Sequence, residues 1–217
     1  MEDLTAKEYL KSKGLNDRDY MDGGMINHIS ETIDEYHQAK LHLFTIPGVT
    51  TGAVLSDCQK YRYSLTRVWD GNKPRVLFIM LNPSTADAEK DDPTIRRCIG
   101  FAKDWGYGGI YVVNLFSLRA TNPKDILTAP FVVGVENEKW IRRMSSLSHL
   151  VVCAWGNSSI VKKLQKRLGH NWKPLSWVNK PLHYLELSKD GTPKHPLYLP
   201  KHLTPIPYDV SGVSLLS

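Results

Sequence analysis

Along the 217-residue chain the spacing of apolar positions changes several times, and each change marks a new element. Ile26, Ile29, Ile33 and Tyr36 recur at helical spacing, so Met25–Leu41 is expected to form an amphipathic helix packed on the main body. The stretch from Pro47 to Ala53, rich in Gly and Thr, reads as a loop. Residues 1–55 are therefore expected to be an N-terminal helical extension, and residues 56–217 an α/β domain. From Tyr61 to Trp69 large apolar and polar residues alternate, the period of a strand, and Asp70-Gly71 is a strong turn. That pattern predicts a β-hairpin leading into Val76–Leu81. This next run is apolar on both faces, as a central parallel strand must be.

A strand–helix rhythm follows. Asp92-Pro93 supplies an N-cap and an N1 proline, and Ile95, Cys98, Ile99 and Ala102 form the buried stripe of the helix. Gly106, Gly108 and Gly109 end that helix, and Ile110–Val113 is the second strand of the rhythm. Trp140, Ile141, Met144 and Leu147 mark another helix, and Leu150–Trp155 a third strand. Ser158 can cap a helix with Ile160, Leu164 and Leu168 inward, and Leu182–Leu187 is the last strand. The expected architecture is a three-layer α/β sandwich around a mostly parallel central sheet of about four strands. In such sheets ligands lie beyond the carboxyl ends of the strands, so the residues just after each run carry the functional information.

Those loops hold Asn82, Ser84, Thr85 and Asp87 after the first strand, and Asn114, Phe116 and Arg119 after the second. Trp155 and Ser158 follow the third, and Lys194, His195, Leu197 and Tyr198 the fourth. Side-chain amides carry both donors and an acceptor and can read a base edge, and hydroxyls and backbone N–H groups suit phosphates. Each residue also has a plainer reading. Asn82-Pro83 can simply turn the chain, Asn114 can satisfy loop backbone, Asp92 can be only a helix cap, and Trp155 can be packing.

Charge and composition narrow the partners. The formal net charge is +6 and apolar residues make up 41%, which describes a globular chain with a mild basic excess suited to a polyanion. The N-terminus Met1-Glu2-Asp3-Leu4 lacks the apolar stretch of a secretory signal, and no apolar run approaches the ~20 residues of a membrane helix. Cys58, Cys98 and Cys153 are far apart with no CxxC or Cys/His spacing, so the expectation is reduced thiols in a cytoplasmic protein and no metal site. The absence of a Walker loop or GxGxxG motif leaves no nucleotide cofactor indicated.

The segments Tyr61–Trp69, Leu81–Ala86 (LNPSTA), Asp91–Arg97 (DDPTIRR), Asn114–Phe116 and Asp190–Leu199 (DGTPKHPLYL) resemble a bacterial and phage family, domain of unknown function 1643, over about residues 57–200. The order of motifs is also similar to the uracil-DNA glycosylase superfamily, in its thymine/mismatch-type branch. In that comparison Asn82 matches the residue that positions the attacking water, and Asn114 the residue that reads the pyrimidine edge. Trp155-Gly156 matches the turn after the third strand, and His195-Pro196-Leu197 the His-Pro loop with its wedge leucine. The chain departs from the uracil-specific pattern, which has an Asp in the first motif and a Tyr soon after it. Here Asn82 is followed by Pro83-Ser84-Thr85, leaving room at the pyrimidine 5-position.

The resemblance implies a monofunctional DNA glycosylase that flips a pyrimidine, plausibly 5-modified as in phage DNA, and leaves an abasic site, with a role in antiphage defence. It assigns Asn82, His195, Asp87 and Asp92 to catalysis, and Asn114, Phe116 and Trp155 to the base. Ser84, Thr85, Arg96, Arg119, Ser158, Lys194, Leu197 and Tyr198 are assigned to DNA, with no cofactor or metal. The alternatives are a base-modifying or nucleoside-cleaving enzyme on the same scaffold, and a silent nucleic-acid or nucleotide-binding module.

Overall fold

The computed structural model describes the backbone of residues 39–46 and residues 49–210. The helix expected over Met25–Leu41 lies mostly outside the described residues. Within them the N-terminal extension is not helical. Ala39–Ile46 (β1) and Val49–Ser56 (β2) pair antiparallel, and β2 pairs antiparallel with Arg62–Val68 (β3). The reason is local: Val49-Thr50-Thr51 and Leu41–Ile46 are rich in β-branched and apolar residues at strand spacing, which the reading of 47–53 as a loop overlooked.

The remaining strands are Arg75–Met80 (β4), Gly109–Asn114 (β5), Leu150–Cys153 (β6), Leu182–Tyr184 (β7) and Ile206–Pro207 (β8). They join one eight-stranded sheet in the order β1-β2-β3-β5-β4-β6-β7-β8. The four strands of the expected rhythm, β5-β4-β6-β7, are parallel to one another at its centre. The sheet as a whole is mixed rather than mostly parallel, and twice as wide as expected, because β1, β2 and β3 extend one side and β8 the other, all antiparallel.

The hairpin expected between Tyr61–Trp69 and Val76–Leu81 does not form: β5 lies between β3 and β4. Trp69 and Asp70 donate their N–H groups to Gly108 O instead. Gly108 and Gly109 make this insertion possible. A Cβ on Gly108 would meet Asp70 O at 2.2 Å, and one on Gly109 would meet Arg67 O at 2.9 Å. Gly106, with φ of +81°, follows the end of the preceding helix, and Gly108 and Gly109 let β5 press against β3.

Pro93–Asp104 (α1) packs on one face of the sheet, burying Ile95, Cys98, Phe101 and Ala102 against Val76, Phe78, Val112 and Leu65. Asn137–Leu147 (α2) and Ser158–Leu168 (α3) pack on the other face, against Leu77, Ile79, Val113 and Val151. All three cysteines are free, and burial pushes the Cys98 and Cys153 thiols far up from their ordinary range. Among the described residues no helix is long and apolar enough to cross a membrane.

This arrangement sends the connections to opposite faces. The chain leaving β4 runs to α1 on one face, whereas the chains leaving β5 and β6 run to α2 and α3 on the other. The β4 and β5 loops first stay joined, through Leu115 N to Met80 O, Phe116 N to Leu81 O and Ala120 N to Pro83 O, at the carboxyl edge where ligands usually lie in such sheets.

Candidate active site at the carboxyl edge

Asn82 sits two residues beyond β4, half-buried. Its Nδ2 donates to Pro83 O (3.0 Å) and Ala120 O (2.8 Å), so the side chain pins the β4 loop to the β5 loop. The plain reading of Asn82 as a turn residue is therefore correct for its nitrogen. The same bonds fix the amide plane and leave Oδ1 without a partner among the described residues, an oriented acceptor at the carboxyl edge of the sheet.

Asn114 ends β5 and is 1% exposed, and its Nδ2 has no hydrogen-bond partner. It pairs in register with Met80 and follows Val112 by two residues, so its side chain leaves the sheet on the α1 side. It does not satisfy the loop backbone. That task belongs to Asn137, whose Nδ2 reaches Asn114 O (3.1 Å) and Leu115 O (3.3 Å) from α2.

The largest structural surprise lies on β3. The alternation of Tyr61–Trp69 marks a strand, but β3 is internal, and Arg62 and Arg67 are 2% and 5% exposed. Arg67 is well satisfied. Its Nε meets Asp91 Oδ1 at 2.8 Å, and its Nη atoms donate to Asp87 O (2.6 Å) and Thr66 O (2.8 Å). Arg62 has one described hydrogen bond, Nη1 to Ala86 O at 2.6 Å, and its Nε is unpartnered. Burial lowers its pKa to about 10, only partly opposed by the charge of Asp92. Two arginines inside a strand flanked by apolar residues were the sequence signal for this corner, hidden because the alternation accounted for them as ordinary polar positions.

The two acids differ. Asp87 Oδ1 accepts from Glu89 N (2.9 Å) and Lys90 N (2.8 Å), and these bonds hold its carboxyl below the ordinary range. It is a turn former and a poor base. Asp92 caps α1 through Ile95 N (2.8 Å). Asp92 is thus a helix cap whose charge also reaches Arg62 and His195.

Beyond β6 and β7 lies an open cleft of about 650 Å³. It is walled by Gly156, Asn157, Ser158 and Ser159 on one side and by segments of 188–199 on the other, with His195 and Tyr198 among them. Gly156 and Asn157 have φ of +56° and +52°, and a Cβ on Gly156 would meet His195 Cβ at 3.0 Å, so only glycine lets this loop approach the His-Pro turn. His195 Nδ1 accepts from Leu197 N (3.4 Å). A neutral imidazole that accepts at Nδ1 carries its proton on Nε2, which makes Nε2–H a donor. Burial lowers the His195 pKa, against a smaller opposing effect of Asp92, and this favours the neutral ring. Arg97 Nη2 donates to Leu199 O and ties α1 to this turn.

The other expected contacts divide. Tyr198 is 89% exposed at the cleft, Thr85 is exposed, and Ser84 and Leu197 are half-buried. Ser158 lines the cleft with Asp190, whose carboxyl is held low first by Ser188. Lys194 is paired with Glu186, Arg119 donates to Gln59 O (3.1 Å), and exposed Arg96 donates to Asp91 O. Phe116 and Trp155 are not base platforms. Phe116 is fully buried and stacks on Trp172 at 4.9 Å, and Trp155 is 3% exposed against Tyr208. Both rings turn into the core shared with α2 and α3. Asn82 and Asn114 stand at the same sheet edge as His195 but do not line its cleft.

No curated protein matches the chain. Among solved structures, a Bacteroides fragilis protein provisionally named an acetyl xylan esterase aligns at 14% identity with a TM-score of 0.35, over 91% of this chain. The chain spans 63% of that protein, and a likeness this weak carries no functional argument. A family model does match. It covers residues 62–197, from the first buried arginine to the His-Pro turn, and the chain belongs to that family, described as protein of unknown function DUF1643.

Proposed function

We propose that the protein is a DNA glycosylase that hydrolyses the N-glycosidic bond of a pyrimidine nucleotide flipped out of DNA. The observation that carries the reading is the placement of four strand-end motifs. Asn82-Pro83 and Trp155-Gly156 lie just beyond β4 and β6, Asn114 ends β5, and His195-Pro196 lies in the long loop after β7, so the motifs come from four adjacent parallel strands in the order of the uracil-DNA glycosylase superfamily.

In this reading the sugar binds over the β4 end. Asn82 Oδ1 accepts a hydrogen bond from one water and holds its oxygen in line with C1′, removing much of the entropic cost of attack. The C1′–O bond forms as the C1′–N bond breaks, and the electron pair of the broken bond moves onto the base. The water's proton passes to an acceptor. Asp92 is the candidate for this, since the bonds from Lys90 N and Glu89 N hold the Asp87 carboxyl low and disfavour proton uptake there. His195 donates from Nε2 to a base oxygen as negative charge grows there, an electrostatic contribution of about 3 kcal/mol. Asn114 reads the base edge. Tyr198, exposed on the cleft lip, fills the gap left in the base stack, and Ser158 with the β4-loop hydroxyls contacts phosphates. The small residues after Asn82 leave the 5-position open, which suits a modified pyrimidine.

The test is incubation with genomic DNAs carrying different 5-substituted pyrimidines, followed by an abasic-site assay. Abasic sites in at least one modified DNA are expected. Salt-sensitive binding without product would favour a silent nucleic-acid-binding module instead.

A further inference from the structure

We propose that Arg62 touches the bound substrate, its guanidinium and the Asn114 amide together taking a ring carbonyl of the pyrimidine. The identity of the ligand rests on the glycosylase reading; the existence of a site rests on the two side chains themselves.

The contrast with Arg67 carries the argument. The two arginines lie on the same strand and both are almost completely buried. Arg67 has a carboxylate and four backbone oxygens at hydrogen-bond distance, those of Asp87 and Lys90 among them, so its role is to hold the segment 87–91 against β3. Arg62 has a single carbonyl and an unpartnered Nε. A buried guanidinium without a paired acid is costly, and buried polar atoms without partners are rare enough that each calls for an explanation. A second such atom, Asn114 Nδ2, lies at the end of the neighbouring strand. Arg62 reaches Ala86, which packs in the core half on the α1 side, and Asn114 leaves β5 on that side too. Two adjacent strands thus present unused donors to the same side of the sheet, under the β4 loop that carries Ala86.

Arg62 can only donate, so its ligand must accept. A ring carbonyl fits, and it fits better as the reaction proceeds. The electrons of the broken C1′–N bond delocalise onto the ring oxygens, and a cation already in place gains more from the departing base than from the bound one. Arg62 then acts with His195: one offers a fixed charge, the other a neutral donor.

The test is the arginine Nε–H region of the ¹H–¹⁵N spectrum of the full chain. The Arg62 signal is identified by its loss in Arg62→Lys, and the wild type is titrated separately with millimolar uracil, cytosine and inorganic phosphate. The proposal expects the Arg62 signal to shift with a pyrimidine and not with phosphate. A shift with phosphate alone, or with none of the three, overturns it. Where Arg62→Lys does not fold, Asn114→Ser serves in its place. It retains Arg62, so the one arginine signal that moves with pyrimidine in the wild type should move less in the variant, and an undiminished shift counts against the shared corner. On a DNA that the wild type cleaves, Arg62→Lys should lower the single-turnover rate about tenfold to a hundredfold at nearly unchanged DNA affinity, as loss of a charged hydrogen bond implies. A pyrimidine-dependent shift with no abasic product from any DNA would leave Arg62 as a ligand contact and remove the glycosylase reading. Abasic product with no shift would do the reverse.

Discussion

The carboxyl edge of the sheet has two unlike halves. The inner corner, at the ends of β4 and β5 with Arg62 beside them, is dry and crowded: Asn114 and Arg62 are at most 2% exposed, and the Asn82 amide is clamped to two carbonyls. The outer cleft, at the ends of β6 and β7, is open and lined by hydroxyls, lysines and an almost fully exposed tyrosine. Rigid, desolvated polar groups suit bond breaking, where misplacement is costly and water must be excluded. Exposed hydroxyls, charges and a projecting ring suit a long polyanion that must be gripped and released. His195 belongs to both, since it lines the cleft while its ring feels the Asp92 charge from the inner side.

Substitutions should separate the halves. The largest effect is expected behind the inner corner. Phe116→Ala should remove roughly 3–5 kcal/mol of stability in urea unfolding, because Phe116 is fully buried against Trp172. A loss below about 1 kcal/mol would mean that the ring is free to meet a base. Tyr198→Ala should do the opposite. With 89% of Tyr198 exposed, stability should hold, while DNA affinity falls by about 1–3 kcal/mol if the ring stacks on a base. Equal affinity for the two proteins would take the cleft lip out of the interface.

Lys194→Glu should weaken DNA binding by less, because Lys194 already neutralises part of its charge on Glu186. The salt dependence of log Kd should change by about one unit of slope, with base preference intact. Slopes that coincide would exclude a phosphate contact by this loop.

The slightest effect concerns pH. Burial places the folded pKa of His195 below its unfolded value of about 6.5. Above that value His195 is neutral in both states and its contribution is constant. As pH falls from about 6.5 through the folded pKa, the unfolded state takes up the proton first and stability is lost. The melting temperature of the wild type should therefore drop more steeply between pH 7.5 and 5 than that of His195→Gln. Parallel curves would show that the ring is not desolvated by the fold.

What could be read from the sequence follows from how local each signal is. The runs Val76–Leu81, Ile110–Val113 and Leu150–Trp155 announced three of the four parallel strands because strands covered on both faces must be apolar throughout, whereas Leu182–Leu187, interrupted by His183 and Glu186, forms a strand only over Leu182–Tyr184. The capping of α1 by Asp92 was equally local. The insertion of β5 between β3 and β4 was not, since it depends on Gly108 and Gly109 meeting Arg67 and Asp70 some forty residues earlier. Nor was the burial of Phe116 and Trp155: a ring at a strand end points into the core or out of it according to how the next loop turns. Arg62 escaped notice for a related reason, since an arginine at a polar strand position looks exposed until a distant segment, here the one carrying Ala86, packs over that face of the sheet.

In the proposed mechanism Asn82 holds the attacking water. With a DNA that the wild type cleaves, single-turnover base release by Asn82→Ala should be slower by about a hundredfold or more while DNA affinity is nearly intact, the signature of losing a preorganised group that acts mainly in the transition state. Excision by Asn82→Ala at the wild-type rate would contradict the strand-end water site and the glycosylase mechanism built on it.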